Sequence, residues 1–173
     1  MSAPGDEPVD LLDDAGRTIG VVSRREMRAR RLPHRCCYVL VFDRAGRLFV
    51  HLRTATKDVY PSHWDVAIGG VVAAGETFDQ GAQRETAEEL GVAAPLEALF
   101  PLRFEDAATV VHGLVYRAVH DGPFRLQPEE VARGEFATLD DVHRRARSEP
   151  FTPDGLAVLE RYRAFVDAWA GVP

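Results

Sequence analysis

The pattern of hydrophobic and polar residues predicts a series of strands interrupted by helices. The apolar runs CCYVLVF at 36–42 and RLFVHLR at 47–53 flank the turn-forming DRAG, which predicts a hairpin of central strands. Upstream, the runs at 9–14 and 18–23 predict a smaller hairpin, followed by a short helix. Later runs at 96–104, 109–119 and 134–139 predict further strands.

The clearest helical pattern lies near the middle of the chain. Apolar or small residues recur every four positions, at Phe78, Ala82, Thr86 and Leu90. Thr77 and Gln80 have the spacing of a capping box, and Gly91 can end the helix in a left-handed conformation. We therefore expect a helix over 78–90.

Two more helices are expected near the end. Thr138 can cap a helix that starts at LDDVHRRA, and Thr152 can cap a longer one with Pro153 at its first position. The apolar stripe of the longer helix consists of Leu156, Leu159, Val166 and Trp169. The order of elements suggests a mixed sheet with helices on its faces. We expect a disordered tail at 1–8 and one domain over 9–173, in which 9–33 form the hairpin and short helix.

Composition narrows the class of protein. With 173 residues, of which 46% are hydrophobic and 28% charged, the chain suits one globular domain. It has no apolar run long enough for a membrane span and no secretory signal at its start, so we expect a cytoplasmic protein without a membrane partner. A net charge of -6 argues against a nucleic acid partner.

Two local features modify this picture. The segment RREMRARR at 24–31 is basic, and the sequence leaves open whether it forms a solvated helix face, an anion site or an oligomer interface, so a homodimer also stays open. Cys36 and Cys37 are adjacent in a strand-like run, where neighbouring side chains point to opposite faces. We therefore expect reduced packing residues rather than a disulfide.

The helix over 78–90 carries an unfavourable set of charges. Glu85, Glu88 and Glu89 lie three and four positions apart and therefore on one side of the helix. Like charges at this spacing cost about 0.2 to 0.5 kcal/mol, and carboxylates in the last turn oppose the helix dipole. Taken alone, the three glutamates indicate an exposed acidic face. The other explanation is a divalent cation, because Mg²⁺ and Mn²⁺ prefer oxygen ligands.

Residues upstream favour the metal. From Gly70, five residues lead to Glu76, and seven more lead to RETAEELGV at 84–92. This arrangement resembles the Nudix box, G-x5-E-x7-R-E-U-x-E-E-x-G-U, where U is a bulky apolar residue. Every fixed letter is present, and Val92 fits one of the U positions. Thr86 departs from the other, and we expect its methyl group to pack while its hydroxyl bonds back to a helix carbonyl.

The resemblance implies an α+β fold, the Nudix α/β/α sandwich with a mixed sheet, here extended by the N-terminal β-hairpin. It also implies hydrolysis of a nucleoside diphosphate derivative or a related organic diphosphate, with Mg²⁺ or Mn²⁺ as the cofactor. A small diphosphate compound is then the expected partner.

The resemblance also assigns roles to residues. Glu85, Glu88 and Glu89 would bind the metal, and Glu85 could also act on the attacking water. Gly70 would add its carbonyl, Arg84 would support catalysis by orienting the glutamates, and Glu76 would orient the loop. Glu130 is the candidate for a further ligand from a later loop. Arg53 and Lys57, before the box, are candidates for binding the diphosphate.

The frame outside the box looks like the branch that shares its N-terminal extension with type 1 isopentenyl-diphosphate isomerase. The isomerase needs a cysteine and a histidine where this chain has Gly69 and Val71, and the strand ATVVHGLVYRA has no acid for its catalytic glutamate. Of the histidine metal ligands of the isomerase family, only His34 looks retained. Isomerase activity is therefore the least favoured reading. A module that binds a nucleotide or diphosphate without turnover remains the main alternative, and the box does not select the substrate.

Overall fold

A computed structural model describes residues 5–170, with side chains through residue 168. Eight strands and four helices make up this part of the chain. In chain order they are β1 (Pro8–Leu12), β2 (Thr18–Ser23), α1 (Arg24–Ala29), β3 (His34–Phe42), β4 (Leu48–Arg53), β5 (Trp64–Asp65), α2 (Phe78–Leu90), β6 (Glu97–Glu105), β7 (Val110–Val119), β8 (Val131–Ala137), α3 (Leu139–Arg145) and α4 (Pro153–Ala170).

The main sheet is mixed. Its order is β5-β4-β3-β7-β6, with β8 also paired to β4, and β3 and β7 run parallel while the other pairs are antiparallel. The expected hairpin of β3 and β4 pairs only at Phe42 and Leu48. Beyond that pair the two strands separate, and the segment after β5 fills the space by bridging to β3 through Ile68 and Val71.

The two faces of β3 belong to different cores. Cys36, Tyr38 and Leu40 join the core that includes residues of α1, α3 and α4, whereas Cys37 and Val39 join the core beneath α2. This alternation follows from the two-residue period of a strand. It gives an α/β/α sandwich and confirms the fold predicted from the sequence. Both cysteines are buried free thiols, as expected from their opposite directions.

Local sequence signals explain how α2 begins and ends. Thr77 accepts a hydrogen bond from the Gln80 backbone while the Gln80 side chain accepts one from the Thr77 backbone, so the capping box is complete. Gly91 adopts the left-handed conformation that ends the helix. Thr86 is buried and its hydroxyl donates to the Ala82 carbonyl at 2.7 Å, as the sequence suggested.

The N-terminal segment packs on the main sheet. Strands β1 and β2 form the predicted hairpin, and Val9 and Met27 are buried in the same core as Leu40. Of the tail expected at 1–8, residues 1–4 lie outside the described residues. Residues 5–8 contact α1, because the Arg25 amide donates to the Gly5 carbonyl at 2.9 Å, and β1 begins at Pro8.

The final helix differs from its predicted stripe. It begins at Pro153, and Leu156 and Leu159 contact the core as expected. Val166 is 41% exposed, so its assignment to the buried stripe is wrong. Beyond Leu159, the core contacts of this helix come from Tyr162 and Phe165. The side chain of Trp169 lies outside the described residues. Among the described residues, no helix combines the length and the apolar character that a bilayer span requires.

The Thr86 hydroxyl should be dispensable for folding. In Thr86→Val, the Ala82 carbonyl keeps its backbone hydrogen bond and the buried methyl contact remains, so the free energy of unfolding should change by less than about 1 kcal/mol. Thr86→Ser, which loses the methyl group, should be destabilised by about 1 kcal/mol. Urea unfolding of both variants checks this, and a loss above about 2 kcal/mol in Thr86→Val would contradict it.

Candidate active site

Helix α2 presents its three glutamates in different environments. Glu88 has 52% of its side chain exposed, whereas the Glu85 side chain is 13% exposed and Glu89 is 3% exposed. The simple explanation of an exposed acidic face therefore fails for Glu85 and Glu89. Two carboxylates buried on one helix face need a positive partner, because burial strongly disfavours unpaired charge.

Arg84 supplies part of that positive charge. Its guanidinium holds both carboxylate oxygens of Glu76 at 3.0 Å, and Nη1 donates to Glu85 at 2.7 Å and to Glu88 at 3.2 Å. Nη2 also donates to the Val71 carbonyl at 3.2 Å. The hydrogen bonds between Arg84 and Glu76 lower the pKa of Glu76 and raise that of Arg84. One arginine thus ties α2 to the loop that precedes it.

The loop itself is positioned by two glycines. Gly69 has a φ of +150°, and a Cβ on it would lie 2.0 Å from the Cys37 carbonyl oxygen, so a side chain there would collide with β3. A Cβ on Gly70 would lie 2.8 Å from Glu85 Oε1. The Gly70 carbonyl accepts a hydrogen bond from the Cys37 amide at 3.0 Å. Residue 70 therefore lies directly beside the glutamate face.

Glu89 is the group whose environment is least satisfied. Its Oε2 is buried and has no hydrogen-bond partner within the described part of the chain. Burial, together with the charge of Glu85, raises the pKa of Glu89 to about 8, although the positive charges of Lys57 and Arg53 act in the opposite direction. Burial also raises the pKa of Glu85, opposed mainly by Arg84.

The donor atoms at this site are of the kind that binds a divalent cation. The donors are all oxygens, one of them unpartnered, and Gly70 leaves space beside Glu85. The arrangement is not a finished metal cage, since among the described residues no three His, Cys, Asp or Glu side chains converge on one point. Arg84 holds Glu85 and Glu88 instead.

Glu130, the other candidate metal ligand, contacts Lys57, a candidate for binding the diphosphate. Glu130, in the turn before β8, forms an ion pair with Lys57, and its carbonyl accepts a hydrogen bond from the Thr54 amide at 3.1 Å. The Lys57 side chain is mostly buried, and burial lowers its pKa. The charge of Lys57 also acts on Glu85 and Glu89. Metal binding by Glu130 and diphosphate binding by Lys57 both remain predictions.

Arg53 supports the loop between β4 and β5. It donates to the Val59 carbonyl at 2.8 Å and to the Tyr60 carbonyl at 3.3 Å, and its Nη1 lies 3.6 Å from Asp65 Oδ2. Its predicted contact with a diphosphate would therefore use a guanidinium that already holds this loop. His34 and His51 are buried, and burial lowers their pKa values to about 4 and about 3, so both are neutral packing residues at pH 7.

Two cavities adjoin Lys57, and the inner one also reaches Gly70. The outer groove has a volume of about 410 Å³ and is lined by residues that include Arg24, Arg25, Arg28, Lys57, Asp58 and Glu130. The inner cavity has a volume of about 60 Å³ and is lined by residues that include Tyr38, Arg53, Asp65, Gly70, Thr109 and Asp154. Arg24, Arg28, Lys57 and Asp58 line both spaces, so α1 lies at the junction between them.

Sequence reasoning did not identify the inner cavity. Tyr38, Asp65, Thr109 and Asp154 are far apart along the chain, and no spacing in the Nudix box connects them. The basic segment that begins at Arg24 gave a signal, but its surroundings are set by how the hairpin packs. Arg28 pairs with Asp58 at 3.0 Å and Arg24 with Glu7 at 3.1 Å, which the sequence could not indicate.

Comparison with known proteins agrees with this geometry. A family model described as the NUDIX domain matches residues 32–159. The chain belongs to the Nudix family. It is similar to a Nudix hydrolase of Streptomyces coelicolor, with 39% identity over 168 residues that cover 95% of this chain and 93% of the relative. It is also similar to the Nudix hydrolase YfcD of Escherichia coli K12, with 40% identity over 88% of this chain and 84% of the relative.

Solved structures share the Nudix fold. The crystal structure of DR0079 from Deinococcus radiodurans superposes with a TM-score of 0.81 at 25% identity, over 90% of this chain and 98% of that one. The Nudix domain of Shewanella oneidensis NrtR, solved in complex with ADP-ribose, gives a TM-score of 0.61 at 20% identity over 76% and 87% of the two chains. At the level of the family, these matches confirm the predicted Nudix fold and Nudix-type enzyme.

Because Glu89 is buried, its ionisation should lower the free energy of unfolding as pH rises. Its folded-state pKa of about 8 lies above its ordinary value of 4.5, so the folded state retains a proton that the unfolded state has released between these pH values. The free energy of unfolding contributed by Glu89 is therefore intact below about pH 4.5 and is lost progressively up to about pH 8.

Glu89→Gln should remove that loss. Without added metal, we expect the variant to exceed the wild type in free energy of unfolding by about 1 to 3 kcal/mol at pH 8, with the gain vanishing near pH 4.5. Urea titrations at several pH values measure this difference. Glu88→Gln, on the exposed neighbour, is the matched control and should show no comparable gain. A pH-independent difference for Glu89→Gln would contradict the assignment.

Proposed function

We propose that this protein hydrolyses a phosphoanhydride bond in a nucleoside diphosphate derivative or a related organic diphosphate, using water and Mg²⁺ or Mn²⁺. The observation that carries the proposal is the buried carboxylate of Glu89, which has an unpartnered oxygen beside Glu85. A bound cation would supply the missing positive charge. A protein with no use for such a cation would gain stability by replacing this glutamate.

The chemistry requires positive charge near the scissile bond. A diphosphate repels hydroxide, and a divalent cation supplies charge neutralisation and a more acidic bound water. Glu85, Glu88 and Glu89 would hold the cation, with the Gly70 carbonyl as a further oxygen donor. Glu130 could join them once its ion pair with Lys57 opens. The Nudix domain that binds ADP-ribose supports a nucleoside diphosphate derivative as one member of the substrate class.

The protein side chains have separable tasks in this proposal. Glu85, held by Arg84 at 2.7 Å, would orient the attacking water or accept its proton. Arg84 acts through Glu85 and Glu88 and is a positioning residue, fixed in turn by Glu76. Lys57 adds positive charge at the edge of both cavities, where the phosphate groups of a substrate would lie.

A module that binds without turnover is the second candidate, and one observation favours it. Arg84 pairs with both Glu85 and Glu88, so these carboxylates are neutralised without a metal. If that state persisted with ligand bound, a diphosphate could occupy the basic groove and remain intact. Turnover by the wild type separates the two candidates.

We also propose that this chain belongs to the branch of the family that has an isomerase-like N-terminal extension. The hairpin and α1 precede the matched domain and reach the site through Arg24 and Arg28. The geometry at residue 69 disfavours the isomerase reaction, because a cysteine Cβ at that place would overlap the Cys37 carbonyl. In this proposal the chain shares its N-terminal extension with the isomerase branch but has a hydrolytic site.

Glu85→Gln tests the hydrolase directly. We expect at least about a hundredfold loss of kcat with Mg²⁺ or Mn²⁺ on whichever diphosphate the wild type hydrolyses, because the amide can neither ligate a cation well nor accept a proton. Phosphate and mononucleotide release from a panel of nucleotide and organic diphosphates gives the measurement. Glu160→Gln, an exposed change on α4, is the charge-matched control.

Two results would reject the proposal. Full turnover by Glu85→Gln at saturating metal would mean that the site is placed incorrectly. Tight binding of a diphosphate by the wild type without any release, unchanged in Glu89→Gln, would favour the module that binds without turnover.

A further inference from the structure

The inner cavity has a lining that the proposed hydrolysis does not use. It extends from Gly70 toward the N-terminus of α4 and contains Asp65, Thr109 and Asp154. None of these residues belongs to the Nudix box. A small cavity that starts beside the reacting phosphate is the natural place for the first atoms of the substrate's organic part.

Thr109 is the first sign that a ligand is expected there. The residue is 3% exposed, and its hydroxyl has no hydrogen-bond partner in the part of the chain that the structure describes. Its backbone is held firmly, because the Thr109 amide donates to Asp106 at 3.0 Å. A buried hydroxyl without a partner is unfavourable, and a valine would fill the same volume without that penalty.

The two carboxylates are only partly satisfied by the protein. Asp154 accepts hydrogen bonds from the Tyr38 hydroxyl and from the Gly155 amide, each at 3.0 Å. Asp65 Oδ1 accepts from the Val66 amide at 2.8 Å and from the Ala67 amide at 3.3 Å, while its Oδ2 lies 3.6 Å from the Arg53 guanidinium, beyond a normal hydrogen bond. Each carboxylate therefore keeps lone pairs that a ligand can use.

The electrostatic environment of Asp65 and Asp154 also favours a ligand that carries hydrogen-bond donors. Burial raises the pKa of Asp65, and burial together with the charge of Asp65 raises the pKa of Asp154 to about 6. Arg53 is the guanidinium that opposes both shifts, so two carboxylates share one nearby arginine. Hydrogen-bond donors on a ligand would relieve this imbalance, whereas a hydrocarbon would only remove water from it.

We propose that the inner cavity selects diphosphates whose organic part carries a hydrogen-bond donor, a hydroxyl or an ammonium, within its first few atoms. Asp65 and Asp154 accept from that donor and Thr109 completes the contact. The proposal rests on the hydrolase function above, because it assigns the diphosphate to the glutamate face beside Gly70. A purely hydrocarbon substituent is disfavoured by the same lining.

The size of the cavity limits what enters it. A volume of about 60 Å³ is enough for roughly two to four water-sized groups. The first carbons of a sugar or a short polyol fit this limit, and the remainder of a larger substrate would lie in the outer groove. Arg24, Arg28 and Lys57 at the junction would then face the phosphate groups.

Three diphosphate monoesters of equal size test the selection. They are n-propyl, 2-hydroxyethyl and 2-aminoethyl diphosphate, which differ only in a terminal methyl, hydroxyl or ammonium. In each reaction water attacks phosphorus, the P–O–P bond breaks, and the products are inorganic phosphate and the alkyl monophosphate. We expect kcat/KM with Mg²⁺ to favour one of the two donor-bearing compounds over the propyl ester by about tenfold or more. The better of those two identifies the donor.

Two variants test the residues. Thr109→Val should keep or raise the melting temperature and should lower the preference to below about threefold, with little change for the propyl ester. Asp154→Asn should also lower the preference. Asp167→Asn, an exposed change of the same kind on α4, is the control and should keep it. A merely structural role would change all three substrates alike.

The outcomes separate this inference from the function on which it rests. Hydrolysis of all three esters at equal kcat/KM would overturn the selection and leave the hydrolase intact. A preference that survives both Thr109→Val and Asp154→Asn would also overturn it. If none of the esters is hydrolysed, the failure bears on the proposed function, and calorimetric dissociation constants for the same compounds decide the inference. Equal constants would overturn it.

Discussion

The close approach of Gly69 to the Cys37 carbonyl is the constraint on which the rest of the site depends. Because residue 69 has no side chain, the segment after β5 can lie against β3 and exchange backbone hydrogen bonds with it on both sides of this contact. That placement brings Gly70 beside Glu85 and starts the turn from which α2 begins. Any larger residue would push the loop from the sheet and separate the two halves of the site.

The loop and helix are then joined by charge. Arg84 connects Glu76 on the loop with Glu85 and Glu88 on the helix, and of the three glutamates on the helix this network leaves Glu89 without a hydrogen-bonded cation. Arg84 thus has two effects. It makes the acidic helix compatible with folding, and it would compete with the proposed cation for Glu85 and Glu88. If that cation binds, these ion pairs must rearrange, which would couple metal affinity to the position of one arginine.

Much of this arrangement could be predicted from the sequence, for identifiable reasons. The capping residues of α2, the strand alternation at Cys36 and Cys37, and the box from Gly70 to Gly91 are local patterns, and local patterns determine local structure. Burial was harder to predict. Glu85 and Glu89 are buried by the tertiary fold, which places Gly70 directly beside Glu85, and Val166 is exposed although its neighbour Phe165 packs on the core. Asp65, Thr109 and Asp154 meet only through the tertiary fold, so no spacing along the chain announces them.

The position of α1 has a consequence for how such proteins diversify. The segment that carries Arg24 and Arg28 lies before the part of the chain that matches the family, yet it forms a wall of both cavities. The glutamates proposed for catalysis and the arginines at the cavity entrance thus lie in separate segments of the chain. Under the proposed function, changes in the leading segment would alter which substrates enter without changing the glutamate helix, so two proteins with the same box need not share a substrate.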